Sequence, residues 1–227
     1  MRLSIIVPTL DEAPGIATTL AALRPLRDAG HEVIVVDGGS RDASEAIARP
    51  LADCVIASPP GRARQMNAGA CTAHGELLLF LHADTRLPAG AERMILEGLH
   101  ASGKGWGRFD VRLSGGHPLL RVVESMMNWR SRLTGIATGD QAIFIRRDWF
   151  KAAKGFPDIP LMEDIALSCT LKRRGPPLCL GAPVVTSSRR WEEQGIISTI
   201  LLMWYLRLLF FLGVDPARLV TRYYQRS

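Results

Sequence analysis

Glu76-Leu77-Leu78-Leu79-Phe80-Leu81-His82-Ala83-Asp84-Thr85 is the stretch on which the fold turns. Its unbroken apolar run, closed by a polar cluster, predicts a strand buried on both faces. On an extended chain His82 and Asp84, two positions apart, point the same way. In open α/β sheets ligands bind in the crevice beyond the carboxyl ends of the strands. A carboxylate at the tip of a buried strand is costly unless paired or coordinated. Carboxylate oxygens together with substrate phosphates are how Mg²⁺ is commonly held.

Upstream, the pattern repeats. Leu3-Ser4-Ile5-Ile6-Val7 predicts a strand ended by Pro8, followed by a helix from Gly15 to about Leu26. Asp11 and Glu12 precede that helix, where negative charge is favoured, and Asp11 is expected to cap it. His31 to Asp37 predicts a second strand, with Gly38-Gly39-Ser40-Arg41-Asp42 after it and a helix over 42–48. Two such β-α units imply a parallel sheet, because parallel neighbours need a crossover. The glycine pair is neither a dinucleotide fingerprint nor a P-loop, which disfavours both chemistries. Cys54-Val55-Ile56-Ala57 predicts a third strand. A basic, polar loop then runs from Arg62 to Gly69, in which Arg62 and Arg64 suit a phosphate, with Arg64 as the candidate ligand.

Downstream of the central strand, Trp106 to Leu113 alternates like a strand and Pro118 to Leu133 reads as a helix. Thr138-Gly139-Asp140-Gln141 is a polar loop feeding a strand at Ala142-Ile143-Phe144-Ile145. Two adjacent acids, Glu163 and Asp164, open a helix running to about Lys172. The plain alternative for one of them is an N-cap, worth about 1 kcal/mol.

The 227 residues suit one sizeable domain, 1–192, followed at 193–227 by a hydrophobic helix and a basic tail. With 28 Lys and Arg against 22 Asp and Glu, the net charge of +6 suits anionic partners. That charge is dispersed and no nucleic-acid module is apparent, so nucleic acid is not expected. Cys54, Cys71, Cys169 and Cys179 show no metal or redox spacing, and scattered buried thiols in a reducing cytosol are expected. The run before Pro8 is too short for a signal peptide. The apolar segment Ile196–Leu212 is interrupted by Arg207 after 11 residues, too few to span a bilayer. With Arg218, Arg222, Tyr223, Tyr224 and Arg226 beyond it, the expected role is an interfacial helix or an oligomer contact first, internal packing second and a spanning helix last.

Taken in order, Pro8-Thr9-Leu10-Asp11-Glu12, Val36-Asp37-Gly38-Gly39-Ser40-Arg41-Asp42, Asn67-Ala68-Gly69 and the strand into Ala83-Asp84 resemble the nucleotide-binding half of family-2 glycosyltransferases. Within that family the chain is most similar to a small bacterial group associated with arsenosugar biosynthesis. The resemblance implies a GT-A fold: a Rossmann-like α/β domain with a mixed, mostly parallel sheet flanked by helices. Residues 1–90 would form its nucleotide-binding half and 91–192 its acceptor half. It implies a nucleoside-diphosphate sugar donor, a UDP-sugar favoured, with hexosyl transfer to an acceptor hydroxyl. By the same resemblance Pro8, Thr9, Glu12 and Asp37 contact the nucleoside. Asp84 is the carboxylate holding Mg²⁺ or Mn²⁺, and His82 stands where the family places the first acid of its D-x-D motif. Asp140 and Gln141 lie between donor and acceptor. Glu163 and Asp164 form the E-D motif, with Asp164 the general base of an inverting displacement. Arg190 and Trp191 resemble the end of a Q-x-x-R-W motif, Ser187 replacing its glutamine, and would touch diphosphate and acceptor. The expected location is cytoplasmic or peripheral at the inner face of the membrane. The competing class is a non-catalytic nucleotide-sugar-binding or membrane-associated scaffold.

Overall fold

A computed structural model describes residues 1–224, the side chains of Thr221, Arg222 and Tyr224 excepted; Arg226 of the expected basic tail lies outside the described residues. The first half contains strands β1 (Leu3–Thr9), β2 (Glu32–Asp37), β3 (Cys54–Ala57) and β4 (Leu77–Phe80). Helices α1 (Ala13–Ala22), α2 (Arg24–Asp28), α3 (Ser44–Ala48) and α4 (Arg62–Thr72) connect them. The second half continues with β5 (Thr85–Arg86), α5 (Ala91–Ser102), β6 (Trp106–Leu113) and α6 (Pro118–Thr134). A 3-10 turn (Gly139–Gln141) leads to β7 (Phe144–Arg146), α7 (Arg147–Ala152), α8 (Glu163–Lys172), β8 (Leu178–Thr186) and α9 (Arg189–Glu193). The chain ends with α10 (Ile196–Phe211) and α11 (Pro216–Tyr224).

All eight strands form one sheet in the order β3-β2-β1-β4-β7-β6-β8-β5. The β1 to β4 block is parallel, as the two β-α units require. At β7 the direction reverses, and β6 and β8 then pair parallel to each other. This mixed, mostly parallel sheet with helices on both faces is the expected GT-A architecture.

The strand residues sort onto two faces by the period of two. Ile5, Val7, Val35 and Leu79 pack with α1 and α5, whereas Ile6, Ile34, Val36 and Leu78 pack with α4, α7 and α8. Helix α4 lies so close to the sheet that a β-carbon on Gly69 would stand 2.4 Å from Ile6 Cγ2. Only a residue without a side chain permits that approach.

Several local expectations change. The stretch 62–69 is not a loop but the body of α4. The expected helix over 15–26 divides into α1 and α2. Asp11 does not cap α1: it is left-handed at φ 54° and accepts from Arg41 N at 2.8 Å. Asp42 Oδ2 receives Ala13 N at 3.0 Å instead, so this helix end is satisfied from the neighbouring loop. The cysteines are free, but Cys71 is exposed and the other three are half-buried rather than buried. The described C-terminal helices α10 and α11 pack onto the rest of the chain. Leu206, Leu219 and Tyr223 share a core with Ile136, Leu161, Met162 and Ile165.

Candidate active site

The polypeptide turns sharply after β4. The extended geometry expected for His82 and Asp84 is not adopted: Thr85 N donates to His82 O at 3.0 Å, folding the segment into a turn. Thr19 Oγ1 ties the turn to α1 through Ala83 O at 2.6 Å, and Thr85 Oγ1 ties it to β8 through Thr186 Oγ1 at 2.9 Å. Both side chains still line one cleft of about 420 Å³ beyond the strand ends. Its walls from the first half are Pro8, Thr9 and Glu12, in and just beyond β1, and Arg62 from α4. Asp140, Arg190 and Trp191 close it from the second half, and Thr199, Met203 and Tyr223 of the C-terminal helices cover it.

Asp84 has only long approaches from two hydroxyls, Thr85 Oγ1 at 3.3 Å and Thr186 Oγ1 at 3.5 Å. Burial, and next the charge of Asp84, push the Glu12 carboxyl above its ordinary value, against the pull of Arg189, Arg62 and His82. Glu12 and Asp84 thus repel each other across one cleft. Among the described residues no cluster of three His, Cys, Asp or Glu side chains could enclose a metal. A single carboxylate with diphosphate oxygens is nevertheless a normal Mg²⁺ or Mn²⁺ arrangement, and Asp84 fits it.

His82 faces Asp140, Nδ1 to Oδ1 at 3.4 Å. Burial opposes the Asp140 charge, but the hydrogen bond and charge of His82, with Arg62 and Arg207, hold its carboxyl below the usual value. On the other side of the ring, a β-carbon at position 139 would lie 2.4 Å from Nε2, so Gly139 is what lets the imidazole fit.

Asp164 lies with His82, Arg62 and Gly139 around a small recess behind the cleft. Its Oδ2 accepts from Gly139 N at 2.8 Å and its Oδ1 from Ile165 N at 2.7 Å. Neither acid acts as the N-cap of α8; that position is Met162, left-handed at φ 69° and without a side-chain cap. The neighbouring Glu163 is buried, and burial followed by the charge of Asp164 raises its carboxyl to about 7. Non-glycine residues at positive φ are uncommon and store strain. Two of them, Asp11 and Met162, adjoin Glu12 and Glu163, and Ala142 lies two residues after Asp140.

Three expected ligands are occupied elsewhere. Asp37 accepts from Gly39 N and Ser40 N, each at 2.9 Å, and from Ser40 Oγ at 2.5 Å, so it braces the loop after β2. Gln141 is fully buried, closing a capping box with Thr138. Arg64 points away and pairs with exposed Asp158 at 2.8 Å. Arg62, the other arginine of that pair, enters the cleft, and its charge reaches Glu12, Asp140 and Glu163. Helical geometry explains the choice: residues two apart stand roughly 200° apart on the helix, so only one of the two can face inward. Gln65, one turn on from Arg62, confirms the inward face by donating to Thr9 O at 2.8 Å and Val36 O at 2.9 Å. Arg190 stacks on Tyr223, 3.7 Å from ring centroid to guanidinium carbon, and also bonds its hydroxyl.

An acid-lined cleft at the carboxyl ends of a mostly parallel sheet, one cation at the first turn of α4 and an E-D pair opposite: fold and site together define a GT-A-type protein. The family model for glycosyl transferase family 2 matches residues 4–150, and the chain belongs to that family. Among solved structures, residues 1–349 of S. aureus TarS superpose with TM-score 0.69 at 19% identity, covering 89% of this chain and 66% of that one. The mannosyltransferase PcManGT from Pyrobaculum calidifontis, in complex with GDP-Man and Mn²⁺, gives 0.63 at 24% identity, covering 82% and 56%. Glucosyl-3-phosphoglycerate synthase from Mycobacterium tuberculosis, in complex with Mn²⁺, UDP and glucosyl-3-phosphoglycerate, gives 0.58 at 19%, covering 82% and 70%. The chain thus spans about two thirds or less of the length of the TarS and PcManGT chains. A search of curated protein sequences returned no match.

Proposed function

We propose that this family-2 chain is an inverting glycosyltransferase that moves a hexosyl group from a nucleoside-diphosphate sugar, UDP favoured, to an acceptor hydroxyl. The observation carrying the proposal is the convergence of Glu12, Asp84 and Asp164, from three separate elements, around Arg62 and His82. A nucleoside lies against Pro8, Thr9 and Glu12, and the diphosphate points toward Arg62, Asp84 and Arg190. A divalent cation on Asp84 supplies neutralisation of the diphosphate when bound. Arg62 adds fixed positive charge there, where the leaving group develops its own negative charge.

Asp164 is the general base. Its carboxylate takes the proton of the acceptor hydroxyl as that oxygen bonds to the anomeric carbon. The bond from that carbon to the diphosphate oxygen breaks, its electron pair leaves with the nucleoside diphosphate, and the anomeric configuration inverts. Two backbone N–H groups orient the carboxylate, and Glu163, with its raised pKa, holds a proton in the acidic range so that the pair does not carry two charges. His82 and Asp140 position the space between the two substrates, and Trp191 offers a flat apolar wall to the acceptor.

Exposed apolar residues are concentrated in one place. Leu119, Val122, Met126, Trp129 and Leu133 form a helical stripe on α6, and α10, packed beside it, exposes Ile197, Leu201, Trp204, Leu208 and Phe211. No helix among the described residues is long and apolar enough to cross a membrane. Peripheral contact with an anionic bilayer fits this face and the net charge of +6. Flotation with phosphatidylserine vesicles tests it, and a concentration-dependent dimer without flotation would assign the face to a second copy.

The enzymatic proposal is tested by measuring nucleoside-diphosphate release over a panel of sugar donors with Mg²⁺ or Mn²⁺. Donor-specific release is expected. Tight donor binding with no release from any donor would favour the scaffold class.

A further inference from the structure

Two arginines remain that the transfer scheme does not use. Arg207 breaks the otherwise apolar α10, and Arg130 sits on α6, where Val123, Met127 and residue 130 share one face by helical spacing. Val123 and Met127 on that face are buried. Arg130 follows them inward: its Nε and Nη2 are buried and have no hydrogen-bond partner. Arg207 continues the stripe Thr199, Met203, whose side chains line the cleft. It lies within electrostatic reach of Asp164 and Asp140. Among the described residues, neither arginine makes an ion pair with those acids.

Buried guanidinium groups cost free energy unless they are paired and hydrogen-bonded. Here the two cations also oppose each other: burial, then the charge of Arg207, lowers Arg130 to about 10. Their nearest acids are committed, Asp140 to His82 and Asp164 to two backbone N–H groups. The donor diphosphate is accounted for at the Arg62 and Asp84 end of the cleft. Two inward cations thus stand beside the proposed base with no ion pair to an acid among the described residues, an arrangement that lacks a negatively charged group on the acceptor side.

We infer that Arg130 and Arg207 form an anion subsite for the acceptor, which carries a phosphate group near its reacting hydroxyl. A phosphate monoester bears roughly −1.5 to −2 at neutral pH, matching two guanidinium charges, and its oxygens suit their planar donor forks. The inference deepens the glycosyltransferase reading and rests on it. It also gives Arg207 a reason to interrupt the apolar helix.

The test is calorimetric, on the full chain saturated with UDP and Mg²⁺. Inorganic phosphate is expected to bind one site with UDP in place, and Arg207→Met and Arg130→Met are each expected to weaken it at least tenfold. UDP affinity should change less than twofold in both, which also shows that the variants are folded. Arg207→Lys and Arg130→Lys, which keep the charge, are expected to recover part of the phosphate affinity. The same titration with phosphatidic acid vesicles distinguishes a lipid headgroup from a soluble phosphate, since only the former would bind there in an arginine-dependent way. Absent phosphate binding with UDP binding intact, or binding equal in wild type and variants, overturns the subsite and leaves the donor site standing. Failure of wild type to bind UDP would count against the donor reading instead, while arginine-dependent phosphate binding would still uphold the subsite.

Discussion

The two halves of the sheet build their share of the site by different means. In the first half, the proposed donor half, the cleft groups are carried by parallel strands or sit one turn beyond them, fixed by ladder register and short hydrogen bonds. Glu12 follows β1, and the His82–Asp84 turn follows β4, pinned by Thr19 and Thr186. In the second half, the proposed acceptor half, the groups come from helices that meet only after packing: Asp164 from α8, Arg130 from α6, Arg207 and Met203 from α10. A strand-end site is settled by local sequence and pairing. A site between helices depends on crossing geometry, and side-chain spacing alone does not set that.

The largest expected effect lies on the acceptor side. Asp164→Asn keeps an oxygen for the Gly139 and Ile165 N–H groups but removes the proposed base, so kcat should fall by roughly 10²–10⁴ with UDP affinity unchanged. Steady-state kinetics beside calorimetry read both numbers, and a variant retaining full kcat would remove Asp164 from the mechanism. On the donor side the strongest effects concern stability. Glu32 accepts from Ser4 Oγ, from His74 N at 2.5 Å and from Gly75 N at 3.0 Å, tying β1 and β2 to the start of β4. Burial opposes its charge, but these bonds outweigh it and bring the carboxyl down to about 2. Its contribution is therefore present above the unfolded-state value near 4.5 and is lost as pH falls toward 2. Glu32→Gln should cost about 2 kcal/mol in urea unfolding at pH 7 and far less at pH 3.

The α4 arginines sharpen the comparison within the donor half. Arg62→Ala should raise the donor KM about tenfold, in keeping with the loss of one charge-assisted contact. Arg64→Ala, which breaks only an exposed pair, should stay within about twofold. Equal effects from both would mean that the helix does not present one face to the ligand. The smallest effect is a pH dependence. Glu163 is raised to about 7 by burial and by Asp164. Its protonated form favours folding below the unfolded value near 4.5, and that advantage fades as pH rises through 7. Between pH 5 and pH 8 the melting temperature of wild type should therefore drop by a few degrees relative to Glu163→Gln, measured by differential scanning fluorimetry.

Some corrections have a common physical origin. Asp37 and Asp11 were legible as polar residues at strand ends, but a carboxylate there has two competing employers, a ligand and the loop's own N–H groups. In Asp37 both carboxylate oxygens accept from the loop, which leaves its nucleoside contact as a proposal. Reading 62–69 as irregular chain hid the rule that would have chosen Arg62, because facing follows from the 3.6-residue period once the segment is a helix. Gln141 offered no signal that it would be buried, since its partners Thr138 and Asn128 meet it through the turn before β7 and through α6.

By itself the sequence determined the alternation of buried strands and crossovers, the parallel block, and the acids at the strand tips. These follow from period-two burial and the impossibility of a tight turn between parallel neighbours, which are local and topological facts. Tertiary structure alone decided which of those polar groups face the cleft, that His82 is paired with Asp140, and that the C-terminal helices roof the site rather than trail from it. The reason is that burying an ionisable group is judged against every element packed around it. Arg207 shows the difference: in the sequence it is a flaw in an apolar helix, and in the fold it is a cation brought within electrostatic reach of Asp164 and Asp140.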